Sequence, residues 1–461
     1  LPFNSFENYP MSWHPKLKKS KDMPLYLEIV RILEADIASG ALHPNDKLPP
    51  QRELADYMDI NLSTVTRAFK ICAAKGLVSG AIGRGTYVAA DVLTKLPMLD
   101  ERGLEHRINM GASHPLYEQN RYVAATMKQV LRKTNVENLL RYTQITGRLS
   151  HKNAARIWLG KYGIRAETRN ILITSGLQNS LAIVISALFQ YGDRIATNSL
   201  AYPGLKNISN MLGVRLVPIP YVNMRMDIGT LRRQCKSEHI KGLFIAPDHH
   251  NPTALTMTME ERRSVAGVIR ERGLLCIEDG TYSFLGGKNL PPVTGLVPGE
   301  SVYISTVSNS LCAGLRISFL VAPPTLLEPL TEAINNINVM SSPFEAETVS
   351  QLIATGVADK IVREKLEEIR IRNSVAEDML SGFTLLGSSN SQFRYLLLPP
   401  GWTGQGFERA AGERGVQLFG NERFTVGNAV TSPAVRIALC SPDSLDELER
   451  GLYIIREILQ A

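Results

Sequence analysis

The stretch PQRELADYMDINLSTVTRAFKICAAKG, residues 50–76, decides how the first part of this chain folds. It opens on a short helical segment from Pro50 to Met58, with Leu54, Ala55 and Met58 facing inward. Asp59-Ile60-Asn61 reads as a turn. A second helix follows to Lys75-Gly76, with Val65, Phe69 and Cys72 on its buried side. Two short helices around a tight turn are the helix-turn-helix pattern. The outer face of the second helix carries Ser63, Thr64, Thr66, Arg67 and Lys70. Small hydroxyl residues let a helix approach a DNA groove, while Arg and Lys neutralise phosphates or contact guanine edges.

Upstream, Ile29, Leu33 and Ile37 repeat every four residues from Pro24 to a stop at Gly40, which predicts another helix. Downstream, Leu77-Val78-Ser79 and Thr86-Tyr87-Val88 flank a glycine-rich turn, Gly80-Ala-Ile-Gly83-Arg84-Gly85, which predicts a hairpin with an arginine at its tip. Such an arginine is suited to a minor groove or a phosphate. Between Ile60 and Ala90 the chain has four basic residues (Arg67, Lys70, Lys75, Arg84) and no acidic one. A plain helical bundle with a solvated basic face is the competing reading of the same residues.

Pro24-Leu-Tyr, Gly40-Ala-Leu, Leu48-Pro-Pro-Gln-Arg52-Glu-Leu-Ala, Thr64-Val-Thr-Arg-Ala-Phe69 and Gly83-Arg-Gly-Thr-Tyr-Val88 together resemble the GntR-type winged helix over its whole length. The resemblance implies that Arg52 and Arg67 contact phosphate or base. Leu62 stands where the family often has arginine, which leaves base preference at that position open.

The bulk numbers fit more than one domain. The chain has 461 residues, 44% hydrophobic and 21% charged, with a net charge of +7. That is ordinary for a folded soluble protein and too long for a single core. No apolar run is long enough to span a bilayer. Leu1-Pro-Phe-Asn-Ser lacks the layout of a secretion signal. The five cysteines (Cys72, Cys235, Cys276, Cys312, Cys440) form no CxxC pair, which disfavours a disulfide framework or metal site and fits a cytoplasmic protein. The expected organisation is a winged helix at residues 14–90, a linker at 91–107 and a second domain at 108–461.

In that second domain, helical stretches alternate with short apolar runs: Ile171-Leu-Ile-Thr, Gly242-Leu-Phe-Ile-Ala, Leu274-Leu-Cys-Ile-Glu, Val302-Tyr-Ile-Ser and Ile317-Ser-Phe-Leu-Val. Alternation of this kind predicts an α/β fold with a mostly parallel sheet. Chemistry in such folds sits at the carboxyl ends of the strands. Ser175-Gly176-Leu177-Gln178 follows the first run and opens a helix, so its free amides suit phosphate. A buried Asp279 would pair with a protonated ring nitrogen. Arg316 is placed to clamp a phosphate, and Arg436 to hold a carboxylate bidentately. Taken singly, each also reads as a loop cap, a turn or a structural ion pair.

Their order is more specific. Tyr142, Gly176-Leu177-Gln178, Tyr202, Asn251-Pro252-Thr253, Asp279-x-x-Tyr282, Ser308 through Gly314-Leu315-Arg316, and Arg436 resemble the fold-type I aminotransferases that use pyridoxal phosphate. With the winged helix in front, the chain resembles the MocR subfamily of GntR regulators. The resemblance implies double-stranded DNA as one partner, a small-molecule effector such as an amino acid or amine, and a head-to-tail homodimer. It also implies roles by position. Gly176, Leu177 and Gln178 cradle the phosphate, with Thr306, Ser308 and Arg316. Tyr142 reaches the phosphate of the partner chain. Tyr202 stacks on the ring, Asp279 pairs with its nitrogen, and Asn251 and Tyr282 bond its oxygen. Arg436 holds the effector carboxylate.

One position departs from this pattern. Family members carry lysine after the serine of Ser308-Asn309-Ser-Leu-Cys-Ala-Gly-Leu-Arg316, and this chain has Asn309. A Schiff base needs a nucleophilic amine, and transamination needs that amine again as proton shuttle. An asparagine amide does neither. Ala254, Val307 and Cys312-Ala313 are smaller departures, and Lys288 lies outside the motif. Several readings stay open: pyridoxal phosphate held non-covalently or as an adduct, a different ligand in the old pocket, or a lysine replaced deliberately to trap a complex. An aminotransferase with an accessory DNA domain is the enzymatic alternative, and Asn309 argues against it. His249 and His250 beside Asn251 are expected to be structural.

Overall fold

The computed structural model describes residues 12–17, 23–39, 41–42, 46–75, 77–81, 85–89, 107–133, 135–286 and 290–461. The chain divides into two units, Leu1–Asp100 and Glu101–Ala461. Most of the expected linker at 91–107 lies outside the described residues, as do Gly83, Arg84 and Lys288.

Among its described residues the first unit has three helices, α1 (Leu25–Ser39), α2 (Gln51–Tyr57) and α3 (Leu62–Ala74). Their apolar faces meet: Ile29, Leu33 and Ile37 pack with Leu54, Ala55, Val65, Phe69 and Cys72. Asn61 starts α3 by accepting the Ser63 amide on its side chain, a cap contributing about 1 kcal/mol. Strands β1 (Val78–Ala81) and β2 (Gly85–Val88) pair antiparallel, with Val78 opposite Val88. This is the expected hairpin. Trp13 adds an unforeseen element. It is buried in the same core and donates through Nε1 to Asp36 Oδ2 at 2.7 Å.

The second unit is built on a seven-stranded sheet. Its strands are β3 (Ile171–Thr174), β4 (Arg194–Asn198), β5 (Arg215–Ile219), β6 (Gly242–Ile245), β7 (Leu275–Asp279), β8 (Ser301–Thr306) and β9 (Ser318–Val321). Their order is β3-β9-β8-β7-β6-β4-β5. Only β9 runs antiparallel to its neighbours, β3 and β8. The five expected runs are all strands. β4 and β5 escape the sequence pattern because each begins on an arginine, and β4 ends on the polar Thr197 and Asn198.

Helices cover both faces, so successive side chains enter different cores. Leu172, Val302 and Ile304 join one cluster, while Ile171, Ile173 and Tyr303 join another. The first is closed by helix α4 (Leu177–Leu188) through Leu181, Val184 and Ile185. A smaller sheet follows, β10 (Leu385–Leu386), β11 (Phe393–Leu397), β12 (Phe419–Gly420) and β13 (Ala434–Ala438), in the order β10-β11-β13-β12. The long helix α5 (Val357–Met379) contributes Ala358 and Ile361 to the core of the large sheet and Ala376 to that of the small one. No helix among the described residues is long and apolar enough to cross a membrane.

Candidate functional site

The first unit presents a basic face. Arg52, Ser63, Arg67 and Lys70 are exposed, and Thr64 and Thr66 are half-buried. Among the described residues no carboxylate pairs with Arg52, Arg67 or Lys70. The Arg67 guanidinium lies 4.0 Å from the centroid of the Tyr26 ring, a cation–π contact that holds an otherwise flexible side chain. Ser63 Oγ donates to Asn61 Oδ1 at 2.9 Å. Thr66 Oγ1 donates to Gln51 Oε1 at 2.9 Å, so this hydroxyl ties α3 to α2 rather than standing free on the outer face. Gly85 opens β2 with a φ of 110°.

In the second unit, the candidate residues converge at the carboxyl ends of the parallel strands. After β3, Gly176 turns the chain into α4 with a φ of 88°, a region that glycine enters without strain. A side chain there would also collide with the Arg316 guanidinium. The leading amides of α4, at Leu177 and Gln178, have no partner within the helix. Arg316 lies over this end, with a φ of 45°. Its Nη1 donates to Ser308 Oγ at 3.1 Å, and Thr306 Oγ1 donates to the same oxygen at 3.1 Å. A guanidinium, two hydroxyls and a helix N-terminus thus share one corner. No carboxylate among the described residues balances Arg316, and a corner of this composition suits an anion.

Tyr202 follows β4 and donates from its hydroxyl to Gln178 Oε1 at 3.2 Å. Burial pushes the hydroxyl's pKa up, and the charges that act on it are Asp279, Arg316 and Arg436. Asp279 ends β7. It is 7% exposed, and its Oδ1 accepts from the Thr281 amide at 2.9 Å and the Thr281 hydroxyl at 2.5 Å. Oδ2 has no donor among the described residues. Burial raises the carboxyl to about 6, against the opposing Thr281 bonds.

That shift has a consequence for stability. The folded carboxyl binds its proton more tightly than the unfolded one, whose value is 3.8. Asp279 therefore destabilises the ligand-free fold increasingly as pH rises from about 4 to about 6, and by a constant amount above. Asp279→Asn keeps an acceptor for Thr281 and removes the charge. It is expected to stabilise the ligand-free protein by about 3 kcal/mol at pH 8 and by nothing below about pH 4. Denaturant unfolding at the two pH values checks this; an equal effect at both would contradict it.

Arg436, on β13, is wholly buried. Its Nη1 donates to Asn251 Oδ1 at 2.7 Å and its Nη2 to the Gly111 carbonyl at 2.5 Å, while Nε has no acceptor. Phe424, Phe393 and Phe419 surround it at 4.8, 5.5 and 5.7 Å from their centroids. Burial lowers it to about 10. No carboxylate among the described residues pairs with it. A cation buried without a counter-ion costs several kcal/mol, on the order of a lost buried ion pair. An anion delivered by a ligand would offset that cost. Tyr282 is buried nearby, its ring 5.3 Å from that of Phe393, and burial pushes its hydroxyl up to about 12.

Asn309 is half-buried in the turn after β8, and its side chain has no hydrogen bond among the described residues. Its carbonyl accepts from Lys365 Nζ at 3.1 Å. Tyr142 is 85% exposed and outside this cluster. His249 bonds Ser391 Oγ and His250 bonds Thr253 Oγ1, both at 2.9 Å. Burial lowers both imidazoles to about 4, so both are neutral near pH 7 and hold loops together. No group of His, Cys, Asp and Glu among the described residues is placed to hold a metal. Sequence reasoning missed Thr281, Gly111 and Lys365. Lys365 lies in the helical run Val-Arg-Glu-Lys-Leu-Glu-Glu, which looks like any solvated surface.

Fold and site together define a winged helix joined to an aminotransferase-type unit. Residues 25–88 match the family of bacterial regulatory proteins, gntR family, and residues 105–452 match aminotransferase class I and II. The uncharacterized HTH-type transcriptional regulator YdeF of Bacillus subtilis (strain 168) is 38% identical over 459 residues, covering 100% of this chain and 99% of that protein. The probable rhizopine catabolism regulatory protein MocR of Rhizobium meliloti is 25% identical and covers 74% of each. An archaeal alanine:glyoxylate aminotransferase superposes on 85% of this chain and 98% of its own with a TM-score of 0.73 at 23% identity, a likeness of fold. The chain belongs to the GntR-type regulators that carry an aminotransferase class I and II domain, the MocR subfamily. Aminotransferases of this fold normally bind pyridoxal phosphate.

Proposed function

We propose that this protein is a DNA-binding transcription regulator whose second unit senses pyridoxal phosphate, or an adduct of it with an amino compound, without covalent attachment. The observation that carries the reading is Arg436, buried and without a carboxylate partner among the described residues, and near enough to Tyr202 to act on its hydroxyl together with Arg316 and Asp279. A ligand with phosphate at one end, a protonated ring nitrogen in the middle and a carboxylate at the other satisfies all three groups.

The residues present fit pyridoxal phosphate. Gly176, Leu177, Gln178, Thr306, Ser308 and Arg316 would hold its phosphate. Asp279 would hold the ring nitrogen in its protonated form, and Tyr202 the ring face. Asn251 and Tyr282 would hold the ring oxygen, and Arg436 an amino-acid carboxylate. When bound, the group supplies an aldehyde that condenses with amines and a ring that withdraws electrons. Asn309 has no basic nitrogen, so it forms no link to that aldehyde and shuttles no proton. We therefore read the protein as a sensor and not an enzyme. Tyr142, exposed on its own chain, fits a role at the phosphate of a partner in a homodimer. A cytoplasmic location follows from the DNA partner.

Absorbance titration with pyridoxal phosphate, with and without amino acids, tests the ligand reading; absence of any saturable spectral change would sink it. For the DNA half, Arg67→Ala and Arg52→Ala are each expected to weaken duplex binding by about 1–3 kcal/mol or to lower the salt slope by about one, according to whether base or phosphate is contacted. Fluorescence anisotropy over a salt series reads both. Wild-type affinity and slope in both variants would exclude this face as the DNA contact.

A further inference from the structure

Helix α5 carries three buried polar side chains, Lys365, Arg372 and Asn373. Lys365 and Arg372 are seven residues apart and so share a helix face. Their donors reach main-chain carbonyls in loops. Lys365 Nζ donates to Asn309 O at 3.1 Å and to Leu311 O at 3.0 Å. Arg372 Nη1 donates to Leu439 O at 3.0 Å and Pro442 O at 2.9 Å, just beyond the strand of Arg436. Asn373 Nδ2 donates to Ser391 O at 2.8 Å. Ser391 Oγ in turn bonds His249 Nδ1 at 2.9 Å, two residues before Asn251.

Lys365 is the informative member. It is wholly buried, and no carboxylate among the described residues pairs with it. Burial lowers it to about 8, with only the thiols of Cys312 and Cys440 opposing. A buried ammonium is costly, and a methionine of similar volume would pack there without that cost. What methionine lacks is a donor. The turn after β8 leaves the carbonyls of Asn309 and Leu311 pointing inward, and buried carbonyls need partners. Lys365 supplies both bonds from one nitrogen. It thereby sets the main chain of residue 309 and of its neighbour Ser308, which bonds Arg316.

We propose that Lys365 is a positioning residue of the ligand site. It fixes the turn that carries Ser308 and Asn309. Through α5 that turn shares one rigid reference with the segment following Arg436, so the sites for the two ends of the ligand are held at a set spacing. This rests on the ligand reading above.

The test uses the full chain and two variants. Lys365→Met keeps the approximate volume and removes the donors; Lys365→Gln keeps donors without the charge. Lys365→Met is expected to raise the Kd for pyridoxal phosphate about tenfold or more, with ligand-free duplex affinity within about twofold of wild type. Lys365→Gln is expected to recover most of the loss. Unchanged Kd in folded Lys365→Met overturns the proposal. So does a Lys365→Gln variant as weak as Lys365→Met, which would assign the effect to charge or packing. Amide exchange of the ligand-free proteins is the independent readout, because the Leu311 and Cys312 amides both bond the Val307 carbonyl. Their exchange is expected to rise about tenfold in Lys365→Met while residues 171–174 stay at wild-type rates; no rise overturns the proposal. Should Lys365→Met not fold, faster exchange of these amides in Lys365→Gln than in wild type does the same. If wild type itself binds no pyridoxal phosphate, the ligand reading fails while the exchange result still decides the role of Lys365.

Discussion

Asn309→Lys is expected to turn reversible binding of pyridoxal phosphate into covalent capture. Wild type should lose the compound on dialysis and carry none after borohydride treatment. The variant should keep a visible absorbance band and, once reduced, the mass of one phosphopyridoxyl group at residue 309. The physical case rests on what surrounds that residue. Ser308 on one side bonds Arg316, and Lys365 fixes the carbonyl of residue 309 from below. A new amine there would start from a half-buried position. Burial lowers an amine's pKa and raises its nucleophilic fraction near neutral pH. The change is close to all-or-none, since a covalent bond replaces contacts that exchange freely. Uptake without any reducible link would mean that residue 309 does not face the aldehyde. No uptake by either protein would remove the cofactor from the account.

Arg436→Met is expected to abolish the response to amino acids while leaving binding of pyridoxal phosphate alone within about threefold of wild type. Charge-assisted bonds from a guanidinium to a carboxylate contribute about 1.5–3 kcal/mol each, so losing a bidentate pair costs about a hundredfold or more in amino-acid affinity. Fold stability should move much less. Removing an uncompensated buried cation stabilises, often by about 1–4 kcal/mol. Leaving Asn251 Oδ1 and the Gly111 carbonyl without their donor opposes this by about 1–3 kcal/mol each. Calorimetry of amino-acid binding to the pyridoxal phosphate-loaded protein, beside denaturant unfolding, separates the two effects. An amino-acid affinity that survives the substitution would place the effector carboxylate elsewhere.

Both expectations depend on a site only partly visible along the chain. The α1 and α3 periodicities were legible because burial of one helix face leaves a four-residue rhythm. The runs at β3, β6, β7, β8 and β9 were legible because strands covered on both faces read as continuous apolar stretches. β4 and β5 were not, since each begins on an arginine and β4 also ends on polar residues. The basic face of α3 was also legible, except that Thr66 is held by Gln51, a partner fifteen residues away.

The sequence by itself determined the two folds, their order, the set of groups suited to phosphate and ring, and the asparagine at position 309. These are local facts, carried by periodicity, glycine placement and residue type at short spacing. The tertiary structure alone decided the company those groups keep. Arg436 bonds Asn251 and Gly111, 185 and 325 residues away, and meets no carboxylate among the described residues. Lys365 reaches back 56 and 54 residues to hold the turn of Asn309. Neither fact leaves a trace in spacing or composition, because a buried charge and a solvated one are written with the same letter. Packing distinguishes them by removing water and leaving the fold, or a ligand, to replace it.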